Sequence, residues 1–123
     1  MDFSFDTDGN GHLICRLSAN GHESIVSAAT VADAAADLLA AAEAAVAPLG
    51  YGECDWWGPN GNYRWMLKRS GHTLTVAVMW SAGTITGYQH VFREDCDARW
   101  FAERVSAEAG RVAAAGLADG QEP

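Results

Sequence analysis

The segment Asp6-Thr7-Asp8-Gly9-Asn10-Gly11 sets side-chain oxygens at alternate positions ahead of a glycine. That is the first half of an EF-hand calcium loop. The twelfth position of the pattern is Leu17, where a bidentate carboxylate is required. The flanking residues alternate in polarity like strands instead of forming helices, so a hairpin loop is the expected role. His12 and Cys15 stand three apart and in a strand point to opposite faces, so joint ligation would require that segment not to be a strand. His22, His72 and His90 have no Cys or His at zinc spacing. The nearest approach to a carboxylate dyad is Glu53 with Asp55, two apart and therefore on one strand face. Arg64 and Lys68 are expected on that same face, so a solvated, charge-paired surface accounts for both acids. No GxSxG, HExxH or local Cys–His signature occurs. No catalytic residue, metal site or cofactor is assigned.

What the spacing does assemble is a surface. On the strands predicted below, Glu53, Asp55, Trp57, Arg64, Met66, Lys68, Thr75 and Met79 share the face opposite the core. Tryptophan, methionine and arginine set among charges are the composition of a protein contact. Trp57, Arg64 and Met66 are the expected anchors, with Asp55 and Glu53 as the charged rim. Cover by a loop, a chain terminus or a second copy of the chain would account for the same residues. The alternative functional reading is a small-ligand site or enzyme pocket between helix and sheet, near Trp80, Tyr88 and His90.

These residues are held by a hairpin over Gly61 to Trp80. Tyr63, Trp65 and Leu67 alternate with Arg64, Met66 and Lys68, and Leu74, Val76, Val78 and Trp80 alternate with Thr75, Ala77 and Met79, which marks two half-buried strands. A Ser70-Gly71 turn would set Leu67 against Leu74, Trp65 against Val76 and Tyr63 against Val78. Upstream, Tyr51 to Trp57 predicts a third strand. A Gly58–Gly61 loop pairs Trp56 with Tyr63, Cys54 with Trp65 and Asp55 with Arg64.

The chain opens with a meander. A three-residue loop at Gly9–Gly11 pairs Phe3 with Leu17, Phe5 with Cys15 and Thr7 with Leu13. Asn20-Gly21 then pairs Leu17 with Ser24, Cys15 with Val26 and Leu13 with Ala28. Thr30 is a predicted N-cap for an alanine-rich helix ended by Pro48 and Gly50. Val31, Ala35, Leu38, Ala42, Val46 and Leu49 are its predicted inner side. After a polar loop at Ser81 to Gly87, a strand runs from Tyr88 to Arg93. Asp95 caps a helix from Cys96 to Gly116, buried through Ala98, Phe101, Val105, Ala109 and Val112. On its flank Arg104 pairs with Glu108, and Trp100 stacks on Arg104. The order β-β-β-α-β-β-β-β-α, with tight turns between consecutive strands, predicts an α+β fold. About seven antiparallel strands form the sheet, and two helices pack on one face.

The chain of 123 residues suits one domain, taken as 1–116 with a flexible tail at 117–123. A net charge of −8 excludes ordinary nucleic-acid binding, which needs a cationic surplus, and suits a basic partner. Cys15, Cys54 and Cys96 are odd in number and widely spaced, which fits free thiols in a reducing compartment. Met1 to Asp8 lacks a basic, apolar leader, and no apolar run approaches a membrane span. A cytoplasmic location is expected, with neither membrane nor nucleic acid as partner.

The segments GNYRWMLKRSGHTLTVAVMW, VFREDCD and RWFAERV together resemble a group of small uncharacterised bacterial proteins with a G-[E/N]-Y-R-W strand. The likeness runs from Tyr51 to Val112. It implies an acidic, immunity-type binding protein whose partner would be a basic toxin; a homodimer through the same sheet face is a separate structural possibility. It supplies no catalytic residues.

Overall fold

A computed structural model of the chain describes residues 1–58, 61–83 and 87–120, with 116–120 by backbone alone. The elements are β1 (Asp2–Thr7), β2 (Leu13–Ala19), β3 (His22–Ala28), α1 (Val31–Val46) and β4 (Tyr51–Gly58). They continue with β5 (Gly61–Ser70), β6 (Thr73–Ser81), β7 (Gln89–Asp97) and α2 (Ala98–Gly120). The architecture is α+β in the expected order. The seven strands are shared between two antiparallel sheets, β1-β2-β3 and β4-β5-β6-β7.

Three of the four predicted registers hold residue for residue. Phe5 faces Cys15, Cys15 faces Val26 and Asp55 faces Arg64. The fourth is corrected. Gly71-His72, not Ser70-Gly71, forms the β5–β6 turn, so Trp65 faces Val78, Leu67 faces Val76 and Tyr63 faces Trp80. Gly71 has φ 62° and is the first turn residue, where a type II′ hairpin needs positive φ. The slip is two residues, so every side chain keeps its face. Between Val78 and Met79 the β6–β7 register shifts, leaving Val91 as an extra residue in β7.

The two sheets cross. Ser24 Oγ on β3 donates to the Val91 carbonyl of β7 (3.3 Å), and Ala29 N–H donates to the Trp57 carbonyl of β4 (2.7 Å). β7 and β4 are opposite edges of the four-stranded sheet. Five residues of extended chain span about 17 Å, close to the ~14 Å across four strands. β3 therefore runs from one edge of the larger sheet to the other, in the manner of orthogonal sheet packing.

An aromatic cluster fills the angle between the sheets. Ring centroids of Phe3 and Phe5 lie 4.9 Å apart, those of Trp56 and Trp65 5.1 Å, and those of Phe3 and Phe101 5.4 Å. Each such pair adds roughly 0.5–1.5 kcal/mol beyond the burial of its area.

Helix α1 lies against β4. A Cβ on Gly52 would stand 2.0 Å from the Ala41 carbonyl oxygen, so only glycine admits this approach. The approach also explains a correction to the inner side of the helix. Ala34, Ala35, Leu38, Ala41, Ala42 and Ala45 are buried, whereas Val46 and Leu49 are exposed. Small side chains let the two backbones meet, and the larger ones were turned outward or left beyond the helix. Thr30 occupies the N-cap with extended backbone, but its side chain makes no capping hydrogen bond. The Arg69 guanidinium closes the other end. It donates to the carbonyls of Ala45 and Ala47 (both 2.9 Å), where the helix dipole favours a cation.

The last strand and helix are also corrected at their shared boundary. β7 continues through Asp97, and α2 begins at Ala98. Asp97 is the cap, accepting from Trp100 N–H (2.8 Å), while Asp95 accepts from the Thr75 hydroxyl (2.7 Å). Phe101, Val105 and Val112 are buried as predicted. The helix runs through Gly120, well into the predicted tail, and 121–123 lie outside the described residues. The predicted loops at Gly58–Gly61 and Ser81–Gly87 each include residues outside the described set.

Arg104 does not pair with Glu108. Its Nε donates to the Phe3 carbonyl (3.0 Å), and Glu108 pairs with Arg111 (3.1 Å). Glu108 Oε1 accepts from Phe5 N–H (2.9 Å), and Arg111 Nη2 donates to the Phe5 carbonyl. β1 is an edge strand whose outward backbone groups need partners. The polar flank of α2 supplies them.

Candidate functional site

Both helices and the smaller sheet pack on one side of β4–β7, and among the described residues no helix or strand packs on the other face. The register puts Tyr51, Glu53, Asp55 and Trp57 of β4 beside Lys68, Met66, Arg64 and Asn62 of β5 on that face. Thr75, Ala77, Met79 and Ser81 of β6 follow. The predicted surface set is thus brought together on one sheet face. Trp57 is its most exposed large apolar residue, at 65%, while Met66 and Met79 are half-buried.

Around Asp55 the face is organised by hydrogen bonds. Asp55 Oδ1 accepts from Arg64 Nε (3.1 Å) and from Asn62 Nδ2 (3.2 Å). Asn62 Nδ2 also donates to the Tyr88 hydroxyl (2.9 Å). The Arg64 guanidinium lies 5.0 Å from the Tyr88 ring centroid, a cation–π contact. The hydrogen bond it donates to Asp55 raises the Arg64 pKa above its ordinary value, so Arg64 is a fixed cation. At the far end of β4 the Tyr51 hydroxyl donates to Glu53 Oε2 (2.7 Å). That bond pushes the Tyr51 pKa up.

Asn62 was not singled out from the sequence. The alternation that puts Arg64 and Met66 on this face puts Asn62 there too, opposite Trp57. Its side chain is buried although its face is open, and its Oδ1 has no hydrogen-bond partner among the described residues.

The alternative trio is not assembled as one pocket. Trp80 sits opposite Tyr63 on β5, Tyr88 reaches Asn62 and Arg64 on the open face, and His90 faces Met79. A cleft of about 330 Å³ lies elsewhere, between the end of α1, the β5–β6 turn and the start of α2. It is lined by Val46, Pro48, Arg69, His72, Asp97 and Arg99, among others.

The remaining chemical candidates have structural duties. Asp8 Oδ1 accepts from the backbone N–H groups of Asn10 (2.8 Å) and His12 (3.1 Å), and Oδ2 meets His12 Nδ1 (2.7 Å). The calcium-like segment is thus a hairpin loop pinned by its own aspartate. The bond from Asn10 N–H, joined by those from His12, holds the Asp8 carboxyl below its usual pKa. Among the described residues no three His, Cys, Asp or Glu side chains gather as a metal site. Burial pushes the Cys15 thiol far up, the Cys54 thiol to about 12 and the Cys96 thiol to about 11, so none is an activated nucleophile.

No described helix is long and apolar enough to cross a membrane. Comparison with family models, curated proteins and solved structures finds no match.

Proposed function

We propose that the chain is a non-enzymatic protein-binding module of the immunity or accessory type, acting through the open face of β4–β7. The observation that carries this reading is Trp57. An indole 65% exposed, beside a half-buried methionine and an ordered Arg64–Asp55 pair, is the make-up of an interface anchor with its polar rim. The net charge of −8 favours a basic partner by long-range attraction. The test is capture on immobilised protein. Wild type should retain a partner that Trp57→Ala with Met66→Ala loses, at unchanged circular dichroism. Equal retention by the two would sink the proposal. Light scattering of the protein alone distinguishes a second copy from another partner.

Small-ligand binding is the second reading, favoured by the cleft beside Arg69, His72 and Arg99. A ligand held there raises the melting temperature by mass action. A thermal-shift screen over small metabolites checks it, and a flat response throughout would remove it.

A further inference from the structure

The Trp57 end of the open face contains an unanswered acceptor. Asn62 is 4% exposed, and its Oδ1 has no partner among the described residues. The orientation of its amide is fixed by chemistry. Asp55 ionised can only accept, so the NH₂ group must face it, and the carbonyl points elsewhere. A buried carbonyl left unmatched costs stability, and native proteins keep few of them. The other unmatched buried atom, Trp65 Nε1, belongs to the closed aromatic core, with Phe3 and Trp56 against its ring. Asn62 differs. It lies on the open face, across from Trp57 in register and hydrogen-bonded to Tyr88, and both of those rings are exposed.

Three features here select the same kind of group. Asn62 Oδ1 needs a donor. Asp55 uses Oδ1 for both its bonds, leaving Oδ2 without a partner among the described residues. The Trp57 ring attracts a cation over its face. Arg64 is drawn aside, its Nε on Asp55 and its guanidinium against Tyr88. Glu53 and Asp55 are matched in number by Arg64 and Lys68 on this face, so the preference for a cation is local to Asp55 Oδ2 and the Trp57 ring.

We infer that this corner is the subsite for one cationic side chain of the partner, a guanidinium or ammonium group. It would seat against Trp57 and donate to Asp55 Oδ2 and Asn62 Oδ1. The inference rests on the open face being the binding surface, and it names what that surface recognises.

The experiment follows the Trp57 indole N–H signal of ¹⁵N-labelled protein, identified by its absence in Trp57→Phe. Capped tripeptides Gly-Arg-Gly and Gly-Lys-Gly are the probes, with Gly-citrulline-Gly as the uncharged match. Saturable shifts with arginine or lysine, absent with citrulline, are expected. The arginine and lysine arms show which head group is preferred. Trp57→Ala, followed through the backbone signals of Asp55 and Arg64, should lose the response, as should Asp55→Asn and Asn62→Ala. Where Asn62→Ala does not fold, Asp55→Asn and Trp57→Ala decide alone. No saturable shift, or an equal shift with citrulline, overturns the subsite. A partner still captured through Trp57 and Met66 would then leave the binding-module proposal standing without it.

Discussion

Two arginine–carboxylate clusters in this molecule have similar ingredients and opposite settings. In the seam between α2 and β1, Glu108 pairs with Arg111, and Arg104 lies alongside. Their hydrogen bonds run to Phe3 and Phe5, completing the backbone of an edge strand. On the open face, Asp55 pairs with Arg64, and Asn62 and Tyr88 join them. Those bonds stay among side chains, and one buried acceptor is left over. A polar cluster committed to backbone holds the fold. A polar cluster turned on itself beside an exposed indole, with capacity unused, is expected to do little for stability, and it is the one proposed to meet a partner.

Substitutions separate the two. Glu108→Ala should have the largest effect, lowering unfolding free energy in urea by about 3 kcal/mol. It strands the Phe5 N–H and leaves Arg111 without its carboxylate. A loss as small as that of a surface mutation would break the contrast. Arg104→Ala should cost about 1 kcal/mol, since its side chain is exposed and one charge-assisted bond is lost. On the other cluster, Asp55→Asn should change stability by only about 0.5 kcal/mol, as half-exposed pairs do. Trp57→Ala should stay within about 0.5 kcal/mol by the same measurement.

The seam also predicts a pH dependence. Burial pushes the Glu108 carboxyl up, but hydrogen bonds from Arg111 and Phe5 N–H, with the nearby arginine charges, outweigh it and hold the pKa below 4.5. A depressed carboxyl contributes stability that is fully present above its unfolded value. That contribution is lost as pH falls through the folded one. The stability difference between wild type and Glu108→Gln should therefore be flat from pH 7 to about 5 and shrink below 4.5.

Much of the fold was legible because turns speak locally. Asn20-Gly21, Gly9–Gly11 and the Gly58–Gly61 loop each fixed a register, and alternation confirmed the faces. Gly71 misled by two residues because a glycine can stand at either centre of a tight turn. The crossing of the sheets was not legible, since hairpins state which neighbours pair and nothing about Ser24 reaching Val91. Helical spacing brought Arg104 and Glu108 together but could not show that β1 lay beside them. For the surface set, alternation was enough to place Glu53, Asp55, Trp57, Arg64 and Met66 on one face. Tyr88 joins Asn62 from 26 residues away, a contact that no periodicity records.

The most direct measurement is quantitative partner capture on three immobilised proteins: wild type, Trp57→Ala with Met66→Ala, and Arg104→Ala. Equal retention by wild type and Arg104→Ala, with loss from the double variant alone, is the predicted result. Retention by all three, or loss from Arg104→Ala alone, would contradict the assignment of binding to the open face.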